Sequence, residues 1–146
     1  MPEPERSTRR RDVERRAQGR CEYCQSPAKY STQPFSLDHI IPRSQSGETS
    51  VENLALACQG CNNHKYNKTQ SRDPVTDQLV DLFNPRQQRW QDHFTWNECF
   101  ELIIGLTATG RVSVGVLKLN RPELVNLRRL LYAAGEHPLP ETEDDE

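Results

Sequence analysis

Four cysteines are arranged in two pairs, with two residues between the members of each pair. The first pair is Cys21 and Cys24, and the second is Cys58 and Cys61. This spacing directs two thiolates at one ion, and two such pairs provide the four sulfur ligands of a tetrahedral structural zinc site. The pattern therefore predicts one zinc ion that joins two distant parts of the chain. The fifth cysteine, Cys99, is expected to be a small packing residue.

Between the two cysteine pairs lie polar residues of the types that hydrolyse phosphodiester bonds. A histidine has an ordinary pKa of about 6.5, so His39 could take a proton from water at physiological pH. Its neighbour Asp38 offers hard carboxylate oxygens, which suit Mg²⁺ or Mn²⁺. Asn53 could hold a loop and fix the orientation of the imidazole. These residue types favour hydrolysis of a phosphodiester assisted by a divalent metal.

The order of these motifs resembles a known family. Cys-x-x-Cys, Asp-His-Ile-Ile-Pro, Gly, Glu-Asn-Leu and Cys-x-x-Cys-Asn-x-x-Lys follow one another within residues 20–70. The pattern is similar to bacterial HNH endonucleases of the four-cysteine, ββα-metal type. The resemblance implies an enzyme that cleaves DNA with a catalytic Mg²⁺ or Mn²⁺ and carries a structural zinc. Residues 90–131 also look like the extension found in a bacterial subgroup of these proteins.

The resemblance implies a role for each residue of the central stretch. Asp38 is expected to bind the catalytic metal, His39 to act as general base, and Asn53 to orient His39. The last position of the motif directly follows the final cysteine and is Asn62 rather than histidine. Asn62 is the preferred second metal ligand, because an amide carbonyl is acceptable to Mg²⁺. His64 is the alternative ligand, although two residues along a helix would point it away from Asn62.

Basic residues are concentrated near the N-terminus, although the whole chain has a net charge of -2. Seven arginines lie within residues 6–20. Such a cluster of like charge needs counter-ions, which DNA phosphates would supply. The alternative for any single arginine is that it lies on a solvated helix face. The alternative for Lys65, the lysine of the motif, is that it is an exposed side chain without function. The residues expected to contact DNA are Arg9, Arg10, Arg11, Arg15, Arg16 and Lys65.

The sequence predicts four regions within a small α+β protein. Residues 1–19 are a basic N-terminal arm and helix, and residues 20–72 are the nuclease core with its four-cysteine zinc site. Residues 73–137 are predicted to form a C-terminal extension, a β-hairpin and a helix packed on the core, and residues 138–146 an acidic disordered tail. Only 34% of the chain is hydrophobic, so zinc is expected to contribute much of the stability.

Secondary-structure signals fill in the first half of the chain. Residues 1–7 are expected to be disordered, and a helix is predicted over residues 8–18, with Gly19 as its C-terminal cap. The core is predicted to contain a strand within residues 35–41, an apolar return over residues 51–57 and a short helix over residues 62–68.

The extension has signals of its own. Apolar spacing predicts a short helix over residues 75–82. Two β-branched, apolar segments, residues 101–107 and residues 111–119, predict an antiparallel hairpin. A final helix is predicted to be capped by Asn120 and to end at Gly135.

Two other functions remain open from the residues alone. Four-cysteine zinc sites occur more often in binding modules than in enzymes, so a catalytically inactive, zinc-stabilised DNA-binding module is the main alternative. A zinc module that binds protein is a more distant one. The nuclease is favoured because a binding module has no need for Asp38, His39 and Asn53 between its cysteine pairs.

The expected location follows from what the sequence lacks. No apolar run approaches the ~18 residues of a membrane span, and the N-terminus has no apolar signal core. The protein is therefore expected to be cytoplasmic and without membrane contact. Reducing conditions there favour metal binding over disulfides for the two cysteine pairs.

Overall fold

The N-terminal helix is longer than the sequence predicts. The computed structural model describes the backbone of residues 2–139 and the side chains of residues 8–139. Helix α1 spans Pro2–Arg16, so it includes backbone that the sequence predicts to be disordered. Prolines fit a first helical turn, because the N–H groups there have no intrahelical partner. The helix ends as predicted: Gly19 has a φ of +69° and donates its N–H to the Glu14 carbonyl at 3.0 Å.

A hairpin followed by a helix forms the centre of the molecule. Strands β1 (Ser36–His39) and β2 (Leu54–Ala57) pair in antiparallel orientation, with His39 opposite Leu54. Helix α2 (Gln59–Lys65) follows β2 directly. These elements confirm the predicted ββα order, although α2 begins inside the second cysteine pair. All four residues of β2 are buried, and α1 packs against this strand.

The segment after the central unit forms a hairpin, so the helix predicted over residues 75–82 is wrong. Strand β3 (Gln70–Arg72) pairs in antiparallel orientation with β4 (Leu79–Asp81). The Asp73 carboxylate accepts the backbone N–H three residues later at 3.1 Å, which stabilises a turn instead of a helix. The apolar spacing was misleading, since Val75 is 71% exposed.

The extension contains a hairpin, but its strands differ from those predicted. Strand β6 (Ile103–Gly105) pairs with β5 (Phe94–Trp96), while most of the predicted second strand, residues 111–119, lies in helix α4 (Ala108–Val116). The Thr107 hydroxyl caps this helix by accepting the N–H of the residue three positions later at 3.0 Å. The cap and burial of one helix face outweigh the β propensity of the valines.

The last helix lies where predicted, but Asn120 does not cap it. Helix α5 spans Pro122–Ala133, and its N-cap position is Arg121, which makes no side-chain capping bond. The Asn120 amide instead pairs with the backbone of Ile103, accepting its N–H at 2.7 Å and donating to its carbonyl at 2.9 Å. Asn120 therefore connects β6 to the start of α5. One short helix, α3 (Trp90–His93), precedes β5.

One apolar core joins the central unit to the extension and confirms the α+β class. The Trp90 indole donates its Nε1–H to the Tyr23 carbonyl at 2.9 Å, and Arg86 forms an ion pair with Glu22. Across residues 2–139, no helix has the length and apolar character needed to cross a membrane. The predicted acidic tail begins at residue 138, and its residues from 140 onward lie outside the described part of the chain. The buried apolar residues shared by both parts include Val13, Tyr23, Leu54, Leu56, Phe83, Phe94, Leu117 and Leu119.

Candidate metal centre and active site

The four paired cysteines form one buried cluster. The sulfurs of Cys21, Cys24, Cys58 and Cys61 all lie within 4.8 Å of one another. The Cys24 and Cys58 sulfurs are 3.7 Å apart. A tetrahedral ion with metal–sulfur bonds of about 2.3 Å would place its sulfurs about 3.8 Å apart, so the cluster fits zinc. Cys99 is outside the cluster and exposed, so its predicted packing role is wrong.

Local backbone geometry aims the sulfurs at a common centre. The Cys24 N–H donates to the Cys21 sulfur at 3.4 Å, and the Cys61 N–H donates to the Cys58 sulfur at the same distance. In the second pair this bond is also the N-terminal cap of α2. Hydrogen bonds from the neighbouring sulfurs lower the pKa of Cys58, whereas burial raises the pKa of Cys21.

A cation that the sequence analysis missed lies against this cluster. The Arg121 guanidinium is 3.4 Å from the Cys58 sulfur and 3.7 Å from the Cys61 sulfur. Burial lowers the pKa of Arg121, but negative charge on the cysteines outweighs this effect and the pKa is raised overall. No local motif marks the contact, because Arg121 and Cys58 are 63 positions apart in sequence.

His39 lies at the end of β1, where its imidazole is half-buried. Its Nε2 is 2.8 Å from the Thr49 hydroxyl, which comes from the loop between β1 and β2. Burial lowers the pKa of His39 below its ordinary value, and the positive charge of Arg43 lowers it further, while Asp38 opposes both effects. The imidazole is therefore neutral at neutral pH and able to accept a proton.

Asn53 holds the loop that carries Thr49. Its Oδ1 accepts the Ile41 N–H at 2.9 Å, and its Nδ2 donates to the carbonyls of Ile41 at 3.0 Å and Glu48 at 2.9 Å. Gly47 permits this tight loop, since a Cβ there would lie 1.7 Å from the Ile41 carbonyl oxygen. These bonds are to backbone groups, so any effect of Asn53 on the imidazole is transmitted through the loop.

The Asp38 carboxylate is committed to protein partners. The Asp38 residue is 4% exposed, accepts a hydrogen bond from the Tyr23 hydroxyl at 2.7 Å and lies 3.2 Å from the Lys65 ammonium. Burial raises the pKa of Asp38, although the ammonium and the hydroxyl oppose the rise. Because successive side chains of a strand point to opposite faces, Asp38 and His39 do not share one side of β1.

Lys65 is buried, so the expectation that it contacts DNA from the protein surface is wrong. It is 1% exposed, and its Nζ donates to the carbonyls of His39 at 3.2 Å and Ile40 at 3.1 Å in addition to pairing with Asp38. Three oxygen partners satisfy the three donors of an ammonium group. Lys65 therefore connects α2 to the end of β1, at the backbone of the residue that carries the imidazole.

The two other candidate ligands lie on α2. Asn62 is half-buried and, three residues before Lys65, shares its helix face toward β1. Burial lowers the pKa of His64, and the positive charges of Arg121 and Lys118 lower it further. These charges belong to the extension, so His64 lies close to it, and the preference for Asn62 as the metal ligand stays a prediction.

The described arginines of α1 differ in what they contact. Arg10 and Arg16 donate to the backbone carbonyls of Phe35 and Leu54, so they attach the helix to the central hairpin. Arg9 is close enough to His39 for its charge to lower the pKa of the imidazole. Among the residues of α1 whose side chains are described, Arg11, Arg15 and Arg16 are exposed, so Arg16 combines an exposed side chain with a bond to the hairpin.

Comparison with known protein families gives a match to the central unit. Residues 21–68 match a family model described as HNH endonuclease. No curated protein and no solved structure matches the chain. The matched segment contains both cysteine pairs, β1, β2 and α2. Residues 21–68 are therefore similar to the HNH endonuclease family, and the four-cysteine cluster within them fits the zinc-binding type.

Proposed function

We propose that this protein is an endonuclease that hydrolyses DNA phosphodiester bonds with His39 as the general base. The observation that supports this most is the state of the imidazole. Burial and the positive charge of Arg43 lower the pKa of His39, so the ring is neutral at neutral pH, and Thr49 fixes one ring nitrogen. A neutral, oriented imidazole within an HNH segment is suited to activating water.

The proton transfer can be assigned to a ring nitrogen. We take the Nε2–H of His39 to be donated to the Thr49 hydroxyl, which leaves Nδ1 unprotonated. Nδ1 accepts a proton from water as the water oxygen attacks phosphorus and the bond to the leaving oxygen breaks. Asn53 supports this step indirectly, since it holds the loop that bears Thr49.

A catalytic Mg²⁺ or Mn²⁺ belongs to the proposal, but the chain fits it only in part. Such an ion would neutralise charge on the scissile phosphate and the leaving oxygen. Asn62 offers an amide oxygen from the helix face toward β1. Asp38 fits less well, because its carboxylate already binds the Lys65 ammonium and the Tyr23 hydroxyl. Asp38 would become a metal ligand only after Lys65 moved away.

The surface around His39 suits a polyanion. The exposed Arg11 and Arg15 lie on a different face of α1 from Arg9, but Arg9 and Arg43 lie close enough to His39 for their positive charges to lower the pKa of the imidazole. Phosphates bound there would lie within reach of the proposed base. A reduced four-thiolate site also agrees with action in the cytoplasm.

One observation favours the alternative, a catalytically inactive DNA-binding module. The Asp38 carboxylate, the strongest oxygen ligand expected from the family resemblance, is occupied by a protein cation. A module that had lost its catalytic metal would keep this buried pair, the zinc site and the basic surface. It would bind DNA without cutting it.

Plasmid cleavage distinguishes the two. Wild type is expected to produce nicked or linear plasmid with Mg²⁺ or Mn²⁺, and His39→Ala to bind DNA equally well but cleave about 10²–10⁴-fold more slowly. The wild-type rate should rise with pH and reach half of its plateau below about pH 6.5, because the pKa of His39 is lowered. The binding module is the correct function if wild type cuts nothing with any divalent metal, yet binds DNA as tightly as His39→Ala.

A further inference from the structure

Arg121 connects the extension to the cysteine cluster. On one side its guanidinium lies against the sulfurs of Cys58 and Cys61, at 3.4 and 3.7 Å. On the other side it donates to the carbonyls of Leu117 and Lys118, both at 3.1 Å, where α4 ends. The guanidinium thus lies between the end of one extension helix and the second pair of metal-ligating cysteines.

Gly60 makes room for this contact. It lies between Cys58 and Cys61 in α2, and its φ is outside the left-handed region, so the backbone there does not require glycine. A Cβ at Gly60 would lie 2.4 Å from Nη2 of Arg121 and 2.8 Å from its Cζ. The small residue in the second cysteine pair is therefore explained by the close approach of the guanidinium.

The negative charge of a zinc-loaded cluster explains why a cation beside it is favourable. Four thiolates around one Zn²⁺ leave a net charge of about −2, and burying it without a nearby cation is costly. An arginine offers five donors in a rigid fork, and hydrogen bonds to metal ligands orient them and stabilise the bound ion. The carbonyls of Leu117 and Lys118 hold the guanidinium in position for this role.

We propose that Arg121 is a positioning residue of the metal centre, through which the extension strengthens zinc binding by the central unit. The proposal depends on the four cysteines holding a metal ion. It does not depend on DNA cleavage, so it can fail or succeed independently of the nuclease. It assigns the extension a task in the metal site, in addition to its share of the apolar core.

A second buried arginine on the same segment provides a matched control. Arg128 is 2% exposed, and its guanidinium binds the Leu119 carbonyl at 2.6 Å, the Glu101 carbonyl at 2.9 Å and the Asn120 side chain at 3.0 Å. These partners all belong to the extension. The charge of Arg128 also acts on Cys24, Cys61 and Cys21, but these bonds include none to a sulfur. Arg128→Gln therefore loosens the extension and removes a nearby charge while leaving the sulfur contacts of Arg121 in place.

Zinc affinity, measured by competition with a chromogenic chelator on zinc-loaded protein, tests the proposal. Arg121→Gln should weaken zinc binding about 10–100-fold, as expected when a partner of a metal ligand is removed. Arg121→Lys, which keeps the charge but not the fork, should weaken it less. Arg128→Gln should lose clearly less zinc affinity than Arg121→Gln, because its charge acts on the cysteines without a direct contact. Equal losses in Arg121→Gln and Arg128→Gln, or no loss in Arg121→Gln, would overturn the proposal.

Gly60→Ala tests the same contact from the other side. Alanine favours a helix more than glycine does, so a loss of zinc affinity must come from displacement of the guanidinium. Gly60→Ala should weaken zinc binding in wild type and have little further effect in Arg121→Gln, where the space is open. An equal effect in both backgrounds contradicts the proposal. If Arg121→Gln does not fold, Gly60→Ala compared in wild type and Arg121→Lys decides, with a smaller effect expected in Arg121→Lys.

Discussion

The two ends of α2 meet the rest of the molecule in different ways. At its N-terminal end, four sulfurs surround a space of the size that zinc requires, and the protein's own cation, Arg121, stays outside the cluster. At its C-terminal end, the buried carboxylate of Asp38 is paired with the protein's own ammonium from Lys65. The first end is therefore built to receive an ion, whereas the second is complete without one.

The two ends are therefore expected to contribute differently, the cysteine cluster mainly to the stability of the fold and the Asp38–Lys65 pair mainly to the position of His39. Structural zinc contributes about 10–16 kcal/mol of apparent binding energy, which is comparable to the entire stability of a small domain. The pair at the other end fixes the backbone at His39 and Ile40, so its main effect falls on the place where the imidazole is anchored. Losing the first should unfold the protein, and losing the second should disturb the proposed active site and cost part of the stability.

The largest expected effect is at the cysteine end. Cys58→Ser removes one ligand and the sulfur nearest to Arg121, so we expect an unfolded or aggregating protein with less bound metal, since the apolar core is thin. Metal analysis and a thermal melt measure this. Cys99→Ser is the control, because Cys99 is exposed and outside the cluster. One zinc retained per chain, with an unchanged melt, contradicts the expectation.

A moderate effect is expected at the lysine end. Lys65→Met leaves the Asp38 carboxylate buried without its cation, which should cost about 3–5 kcal/mol of unfolding free energy. Lys65→Met combined with Asp38→Asn removes both charges and should recover part of the loss. Denaturant unfolding of zinc-loaded protein provides the values.

The same variants sharpen the assignment of Asp38. If the carboxylate binds the catalytic metal after Lys65 moves, Asp38→Ala should lose cleavage that added Mn²⁺ partly restores, and Lys65→Met should bind that metal more tightly. If the pair only positions the strand, Mn²⁺ should restore nothing. The cleavage rates of Asp38→Ala and Lys65→Met should then fall only as far as each variant loses stability.

The smallest effect concerns the exposed arginines of α1 as a surface for DNA. Replacing Arg11 and Arg15 with glutamine should weaken DNA binding and make its salt dependence shallower, by about 0.9 in the log–log slope for each phosphate that is no longer bound. Arg129→Gln is the control, since Arg129 lies on α5 and pairs with Glu101. Binding titrations at several salt concentrations measure the slope. An unchanged slope in the α1 variant would mean that these arginines form only a solvated face.

Local signals predicted much of the central unit. The cysteine spacing identified the cluster, and β1, β2 and α2 follow from short apolar and turn patterns within the segment. The candidate base and the loop asparagine could also be named, since their residue types and order are local properties. Their roles remain proposals, but their placement around one loop agrees with the motif.

Contacts between distant residues decided what the sequence did not reveal. The sequence pattern places Asp73 just before a predicted helix, yet it is fully buried and binds Arg111 through both carboxylate oxygens at 2.9 Å, 38 positions away. Similarly, β6 pairs with β5 instead of the following segment, and Asn120 binds Ile103 instead of capping α5. Propensities act over a few neighbouring residues, so they cannot choose among partners of this kind.

The sequence by itself determined the chemistry of the ligands and the proposed base, because cysteine spacing and residue type are local. Only the tertiary structure decided which charges are free to act. In the sequence Lys65 resembles a surface lysine, but the approach of α2 to β1 buries it against Asp38, 27 positions away. Arg121 resembles an ordinary residue before a helix, but the docking of the extension brings it to the sulfurs. Whether a charged side chain meets solvent, a phosphate or a buried partner depends on packing between elements far apart in the chain.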